Sequence, residues 1–262
     1  WDPVENAALM PWLTGTAFLH SVMIQEKRNM LKIWNVVLII LTFGLTIVGT
    51  FLTRSGIINS VHAFTQSEIG PAFLIFLAFI LVIGFALLFK RIQMLESEHK
   101  IESVLCRENA FLAQNVLLVG IAFTVLLGTT FPLLAEAVRG TKLSIQAPFF
   151  NTIIAPMGYM LLLLMGIGTL MAWRKSSWEG LRRNFKNPLI LATVGTVFLA
   201  WFLADRNLLW SVHTIFWLTI FVTSTIVLEI VKAVQAKSSQ TKSRIIGKIR
   251  LFDSRKIGRS WI

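Results

Sequence analysis

The chain has 262 residues, of which 55% are hydrophobic and 15% charged, with a formal net charge of +12 and a mean hydropathy of +0.70. A soluble domain of ordinary composition carries about 25% charged residues and spreads them through every element. Here they gather in short runs between apolar stretches of roughly 20 residues, long enough at 1.5 Å per residue to cross a bilayer. This excludes a soluble helical bundle, whose helices need polar faces, and predicts an all-α, polytopic integral membrane bundle of about seven transmembrane helices.

In chain order the expected spans have cores at Ala7–Ile24, Ile33–Leu52, Ala72–Phe89, Ala110–Phe131, Thr152–Ala172, Pro188–Ala204 and Leu208–Val231. The first is the weakest, being short and carrying Pro11, which is expected in the first helical turn, where a proline leaves no bond unmade. Spans six and seven are separated by Ala204-Asp205-Arg206-Asn207 and predict a tight hairpin. The connections after spans one, three, five and seven hold 3, 4, 5 and 9 Lys or Arg, 21 of the chain's 25. The opposite side has Arg54, Arg139, Lys142 and Arg206. By the positive-inside rule the N-terminus and the loops around His62 and Ser144 face outward and the tail faces inward. The same asymmetry accounts for the basic net charge and removes the case for nucleic acid as a partner.

Residues 1–235 are therefore read as the membrane domain. Residues 236–262 are read as a basic inside linker or amphipathic surface segment, leading to a further span beyond Ile262. The chain opens at Trp1 in mid-motif, so more sequence is expected before it. The single cysteine, Cys106, falls on an inside loop and reads as structural, since no Cys-x-x-Cys pair or Cys-x-x-Cys-His haem-attachment motif accompanies it.

Chemistry must then come from the four histidines, because a ligating group inside a membrane is a functional candidate by default. His20 lies within the first span, where it either ligates or hydrogen-bonds a neighbouring helix. His62 follows the second span at the outer interface. His99 sits among charges in a loop and reads as solvated, and His213 lies in the seventh span between Trp210 and Trp217. No two histidines have the i, i+4 spacing of a helical metal pair, and neither a phosphate loop nor a nucleophile elbow is present, so no catalytic side chain is assigned. Single, separated imidazoles suit axial ligation of haem iron, which takes one nitrogen from each of two elements. Trp1, Trp12, Phe64, Phe149 and Phe150 suit a porphyrin and suit an interfacial aromatic belt equally.

Several strings carry a resemblance. Trp1-Asp2-Pro3-Val4-Glu5-Asn6 followed by Met10-Pro11-Trp12-Leu13 resembles the end of the WWD motif of haem-handling proteins, and runs on into a span bearing His20. Gly49-Thr50-Phe51-Leu52-Thr53-Arg54-Ser55-Gly56 with Ser60-Val61-His62-Ala63-Phe64 is similar to the CcmF family of cytochrome c biogenesis proteins. So are Arg107-Glu108, Leu127-Gly128-Thr129-Thr130-Phe131-Pro132, Thr141-Lys142-Leu143-Ser144 and Ala147-Pro148-Phe149-Phe150-Asn151. CcsA-type synthases share a string like the first, but the six later spans and the Pro-Phe-Phe-Asn element favour CcmF.

The resemblance implies a haem lyase that joins the vinyl groups of haem to the thiols of an apocytochrome c Cys-x-x-Cys-His peptide. It implies His62 as an axial ligand of substrate haem held at the outward WWD surface, and His20 as a ligand of a haem b within the membrane. Their partner ligands are expected before Trp1 and after Ile262. Trp1, Asp2, Trp12 and Arg54 are implied haem contacts, with Asp2 alternatively capping a helix and Arg54 alternatively anchoring at the interface. The implied partners are the haem chaperone CcmE, CcmH with CcmI- and CcmG-type thiol proteins, apocytochrome c and the lipid bilayer; the implied location is the bacterial inner membrane. The nitrite-reductase paralogue NrfE is the nearest alternative. A multi-pass transporter and a haem-free scaffold are the readings from other classes, the transporter disfavoured because no internal repeat is visible.

Overall fold

The structure is a computed structural model that describes residues 1–55, 69–97, 103, 105–140, 145–173, 175–204 and 209–257, with side chains to residue 238. Seven helices in it are long and apolar enough to cross a membrane, and among the described residues there is no strand. They are α1 Pro3–Arg28, α2 Lys32–Arg54, α3 Gly70–Lys90, α4 Arg107–Arg139, α5 Ala147–Leu170, α6 Trp178–Phe202 and α7 Trp210–Ile257; a short 3-10 turn, Ile92–Leu95, follows α3. The all-α, seven-span expectation holds.

The helix ends differ from the expected spans in instructive ways. The first helix starts at Pro3, where Asp2 caps it by accepting from the Val4 N–H at 2.8 Å, and Glu5 sits favourably in the first turn. Pro11 therefore lies in the helix interior rather than in its first turn. The sixth helix likewise begins at Trp178, ten residues before the expected Pro188, so Arg182, Arg183 and Lys186 ride on its first turns. The fourth continues past Pro132 to Arg139, and the seventh stays helical through the basic stretch to Ile257. The hairpin residues 205–208 lie outside the described residues.

The chain packs as two compact units, Trp1–Ser177 and Trp178–Ile262. In the first, helix neighbours run in the order α3–α2–α1–α4–α5, with α1 in the middle. Met10, Leu13 and Ala17 of α1 meet Leu38 and Leu52 of α2 and Leu118, Ile121, Ala122 and Val125 of α4 in one buried cluster. In the second unit α6 packs on α7. Phe221 is buried and stacks with Trp217 at 5.4 Å and Phe185 at 6.3 Å, and Lys232 Nζ donates to Asn184 Oδ1 at 3.0 Å.

Two seams fix the position of α1. Toward α2, Ala7 meets Gly49 and Thr42 Oγ1 donates to Thr14 Oγ1 at 2.9 Å. A Cβ added to Gly49 would lie 3.0 Å from the Ala7 carbonyl oxygen, so this approach needs a glycine. Toward α4, Asn6 Nδ2 donates to Thr129 Oγ1 at 3.0 Å, and at the other end Arg28 Nε lies 3.2 Å from Glu108 Oε1. Both side chains of the ion pair are buried. Residues seven apart recur on one face of each helix, the spacing of an antiparallel left-handed crossing.

Candidate functional site

His20 lies eight residues before the Arg28 end of α1. Its ring is half-buried and stacks on Phe111 of α4, with centroids 5.3 Å apart and planes at 23°. Phe111 meets Trp173 edge-on at 6.1 Å, and the Arg107 guanidinium lies over Trp173 at 5.6 Å. Arg107 also donates from Nε to the Gly168 carbonyl at 3.1 Å and from Nη2 to that of Thr169. A cation thus satisfies the last carbonyls of α5, where the helix dipole is negative. The result is a fixed aromatic wall beside the imidazole.

The Nδ1 of His20 is buried and has no hydrogen-bond partner. An unpaired polar atom in an apolar interior calls for an explanation, because leaving it so costs about 1–3 kcal/mol. Beside it, Trp12, Leu19 and Met23 form an apolar strip of α1 that the described helices leave uncovered. A half-open imidazole flanked by uncovered apolar surface and backed by aromatic rings fits an axial ligand of a flat, apolar macrocycle. The residues present therefore fit haem at His20.

At the opposite end of α1, Trp1 stacks on Phe150 at 4.9 Å and 18°, and its Nε1 donates to Asn151 Oδ1 at 2.7 Å. Phe149 packs edge-on to Phe150 at 5.4 Å. The α1–α2 register puts Arg54, five residues past Gly49, level with Asp2, five before Ala7. Trp1, Asp2 and Arg54 thus share one end of the unit with the Phe149-Phe150-Asn151 string. Trp12 does not join them; it lies about 15 Å along α1 from Asp2 and faces away from the other helices. His62, Phe64 and His99 lie outside the described residues. His213 Nδ1 is 3.2 Å from the Leu209 carbonyl of its own helix, as a structural histidine would be.

Three buried polar residues at the level of His20 carry no expectation from the sequence. Ser21, Asn35 and Asn115 are buried, with Ser21 Oγ, Asn35 Oδ1 and both amide atoms of Asn115 unpaired, and Glu108 holds Arg28. Isolated polar residues in apolar runs were the available signal. Cys106 is buried, its thiol donating to the Ser103 carbonyl at 2.9 Å, and burial pushes its pKa up. This agrees with a structural role.

Fold and site together define a polytopic membrane protein whose central helix carries a histidine among unpaired polar groups. The family described as "Cytochrome C assembly protein" matches residues 1–58. The chain is 40% identical to the cytochrome c-type biogenesis protein CcmF of Pseudomonas fluorescens over 223 residues, 85% of this chain and 33% of that protein. It is 37% identical to NrfE of Haemophilus influenzae over 169 residues, 64% of this chain and 26% of that one. The solved structure of the cytochrome c heme lyase CcmF superposes with a TM-score of 0.68 at 34% identity, over 90% of this chain and 34% of that one. The chain belongs to the CcmF-type cytochrome c biogenesis proteins and spans about a third of the length of the relatives it matches.

Proposed function

We propose that this chain is part of a haem lyase of cytochrome c maturation, acting in a bacterial inner membrane. The observation that carries the reading is its similarity, in sequence and in helix arrangement over nine-tenths of its length, to a cytochrome c heme lyase. The reaction adds each apocytochrome thiol across a vinyl group of substrate haem: the S–H bond and the vinyl π bond break, and one C–S and one C–H bond form. The protein's part is placement and exclusion of competing chemistry.

His62 is the ligand that holds substrate haem at the outward surface until the histidine of the Cys-x-x-Cys-His peptide replaces it. Trp1, braced by Phe150 and Asn151, offers aromatic contact; Asp2 secures the helix start beneath Trp1, and Arg54 pairs with a propionate, while Trp12 stands apart on the flank of α1. His20 holds a membrane haem b, which supplies one-electron chemistry when bound. Haem arrives from CcmE, and the peptide is presented with CcmH and its thiol partners. Residues 1–235 form the membrane domain and 236–262 a basic segment. The likeness to NrfE favours a second reading, attachment to a nitrite reductase cytochrome, and complementation with either client set separates the two.

In the full-length protein, His20→Ala is expected to remove a low-spin haem signal while insertion persists. His62→Ala is expected to abolish cytochrome c maturation and leave that signal intact. Normal maturation in His62→Ala, or an unchanged spectrum in His20→Ala, refutes the corresponding assignment.

A further inference from the structure

The unpaired polar atoms around His20 lie at one level of three helices, and the two seams of α1 show it. On the α4 side, fourteen residues separate His20 from Asn6, and fourteen separate Asn115 from Thr129, the partner of Asn6. At 1.5 Å per residue both steps are about 21 Å, and fourteen residues return nearly to the same helix face. Counted from the other end, the Arg28–Glu108 pair puts His20 eight residues back and Asn115 seven forward, the same level again. The stack of His20 on Phe111, one turn from Asn115, shows that the imidazole faces α4.

On the α2 side Ala7 meets Gly49 and Thr14 meets Thr42, seven residues on; the same step taken once more sets Ser21 level with Asn35. Asn35 Nδ2 donates to Gln25 Oε1 at 2.6 Å, which leaves its Oδ1 over. The buried indole Nε1 of the adjacent Trp34 is also unpaired. At this level His20 Nδ1 and Ser21 Oγ of α1, which serve as donor or acceptor, and both amide atoms of Asn115 on α4 are unpaired, and Asn35 Oδ1 is left over on α2.

Ser21, Asn35 and Asn115 are each at least 97% buried. A helix bundle that only needed to pack would fill these positions with apolar side chains. Matched donors and acceptors without direct bonds are what internal water occupies, each molecule taking two to four such partners. We infer that this layer is a hydrated site, and that Asn115 positions His20 by holding its Nδ1–H through that water. With Nδ1 carrying the proton, the lone pair lies on Nε2, the nitrogen left for iron. Asn115 is thus a positioning residue, and this deepens the reading of His20 as a haem ligand, on which its spectroscopic half rests.

The test is a double-mutant cycle on the full-length protein in detergent, read twice. Without haem, Asn115→Leu lowers the Tm when His20 is present, because it strands a buried ring nitrogen. In a His20→Phe background, which keeps the ring against Phe111, the same change leaves the Tm unchanged or raises it. Additive effects overturn the pairing. With haem, Asn115→Leu weakens haem retention about tenfold or more and alters the low-spin spectrum, whereas Asn115→Thr, which keeps a hydroxyl for the water, retains both. Threonine as damaging as leucine reduces Asn115 to packing and overturns the proposal. If the leucine variant does not assemble, Asn115→Ala runs through the same cycle. A His20→Ala protein with an unchanged haem spectrum defeats the haem assignment alone, since the haem-free cycle still decides whether Asn115 and His20 are coupled.

Discussion

The buried ion pair between Arg28 and Glu108 makes a quantitative claim about what fastens α1 to α4. The guanidinium and carboxylate are 8% and 4% exposed and 3.2 Å apart at the ends of two helices. Removing one partner leaves the other charge desolvated, which costs about 3–5 kcal/mol. For a chain of this size about 1 kcal/mol moves Tm by 2–4 °C, so Arg28→Met or Glu108→Met should lower it by roughly 6–20 °C. The double Met variant should recover most of that loss, because no charge is left stranded and the apolar volume is similar. Intrinsic tryptophan fluorescence during heating of the detergent-solubilised protein reads all three. Shifts of about 2 °C or less in the single variants would refute the reasoning, since that is the behaviour of a solvated surface pair.

The expected orientation places reporters fused near Ser67 or Thr141 outside and those near Ser97 or Ser177 inside; an outward reading at Ser97 would invert the placement of His62. A methyl group on Gly128 would clash with the ring edge (Cε1 and Cζ) of the buried Phe150, so Gly128→Ala should cost about 1–3 kcal/mol and disturb the Trp1 stack, which fluorescence of Trp1 would register. Burial raises the Cys106 thiol pKa, so at a given pH less of it is thiolate than for an ordinary exposed thiol. Alkylation in the folded protein should accordingly be slow at pH 8 and accelerate only at higher pH or on unfolding, and rapid labelling at pH 7 would contradict the burial.

All seven helices were legible because each apolar run exceeds what a soluble helix needs, a signal that depends on length and composition alone. Their ends were less so. Pro3 and Asp2 form a strong helix start, but the Pro11 downstream drew the expected boundary toward itself. In α6, the pattern reads Arg182 and Arg183 as loop charges, although basic side chains sit comfortably on the exposed first turns of a helix. His20 was found because one ionisable group in a span stands out. Asn115, Ser21 and Asn35 did not, because uncharged polar residues on separate helices become a layer only once the register of those helices is known. Arg28 was counted for orientation, and a count of basic residues does not reveal that one of them has a buried acidic partner more than seventy residues away. At the opposite end of α1, Trp1, Asp2 and Arg54 come to one end of the unit while Trp12 lies apart on the helix flank, an arrangement that depends on the register between helices and not on spacing along the chain.

Pro11 has one more consequence. Having no N–H, it leaves the Ala7 carbonyl without the donor that a regular α-helix would supply. That oxygen is the one Gly49 of α2 closely approaches. A helix missing a rung is easiest to bend at the gap, and here the gap is held shut by a neighbour rather than by the helix itself. The first two turns of α1 are tied to α2 at Gly49 and to α4 at Thr129, and beyond Pro11 the helix is tied again to α2 at Thr42 and Asn35 and to α4 at Glu108. In mechanical terms α1 is clamped on both flanks to either side of the missing rung, and a load on Trp1 is shared by α2, α4 and α5 before it reaches the imidazole.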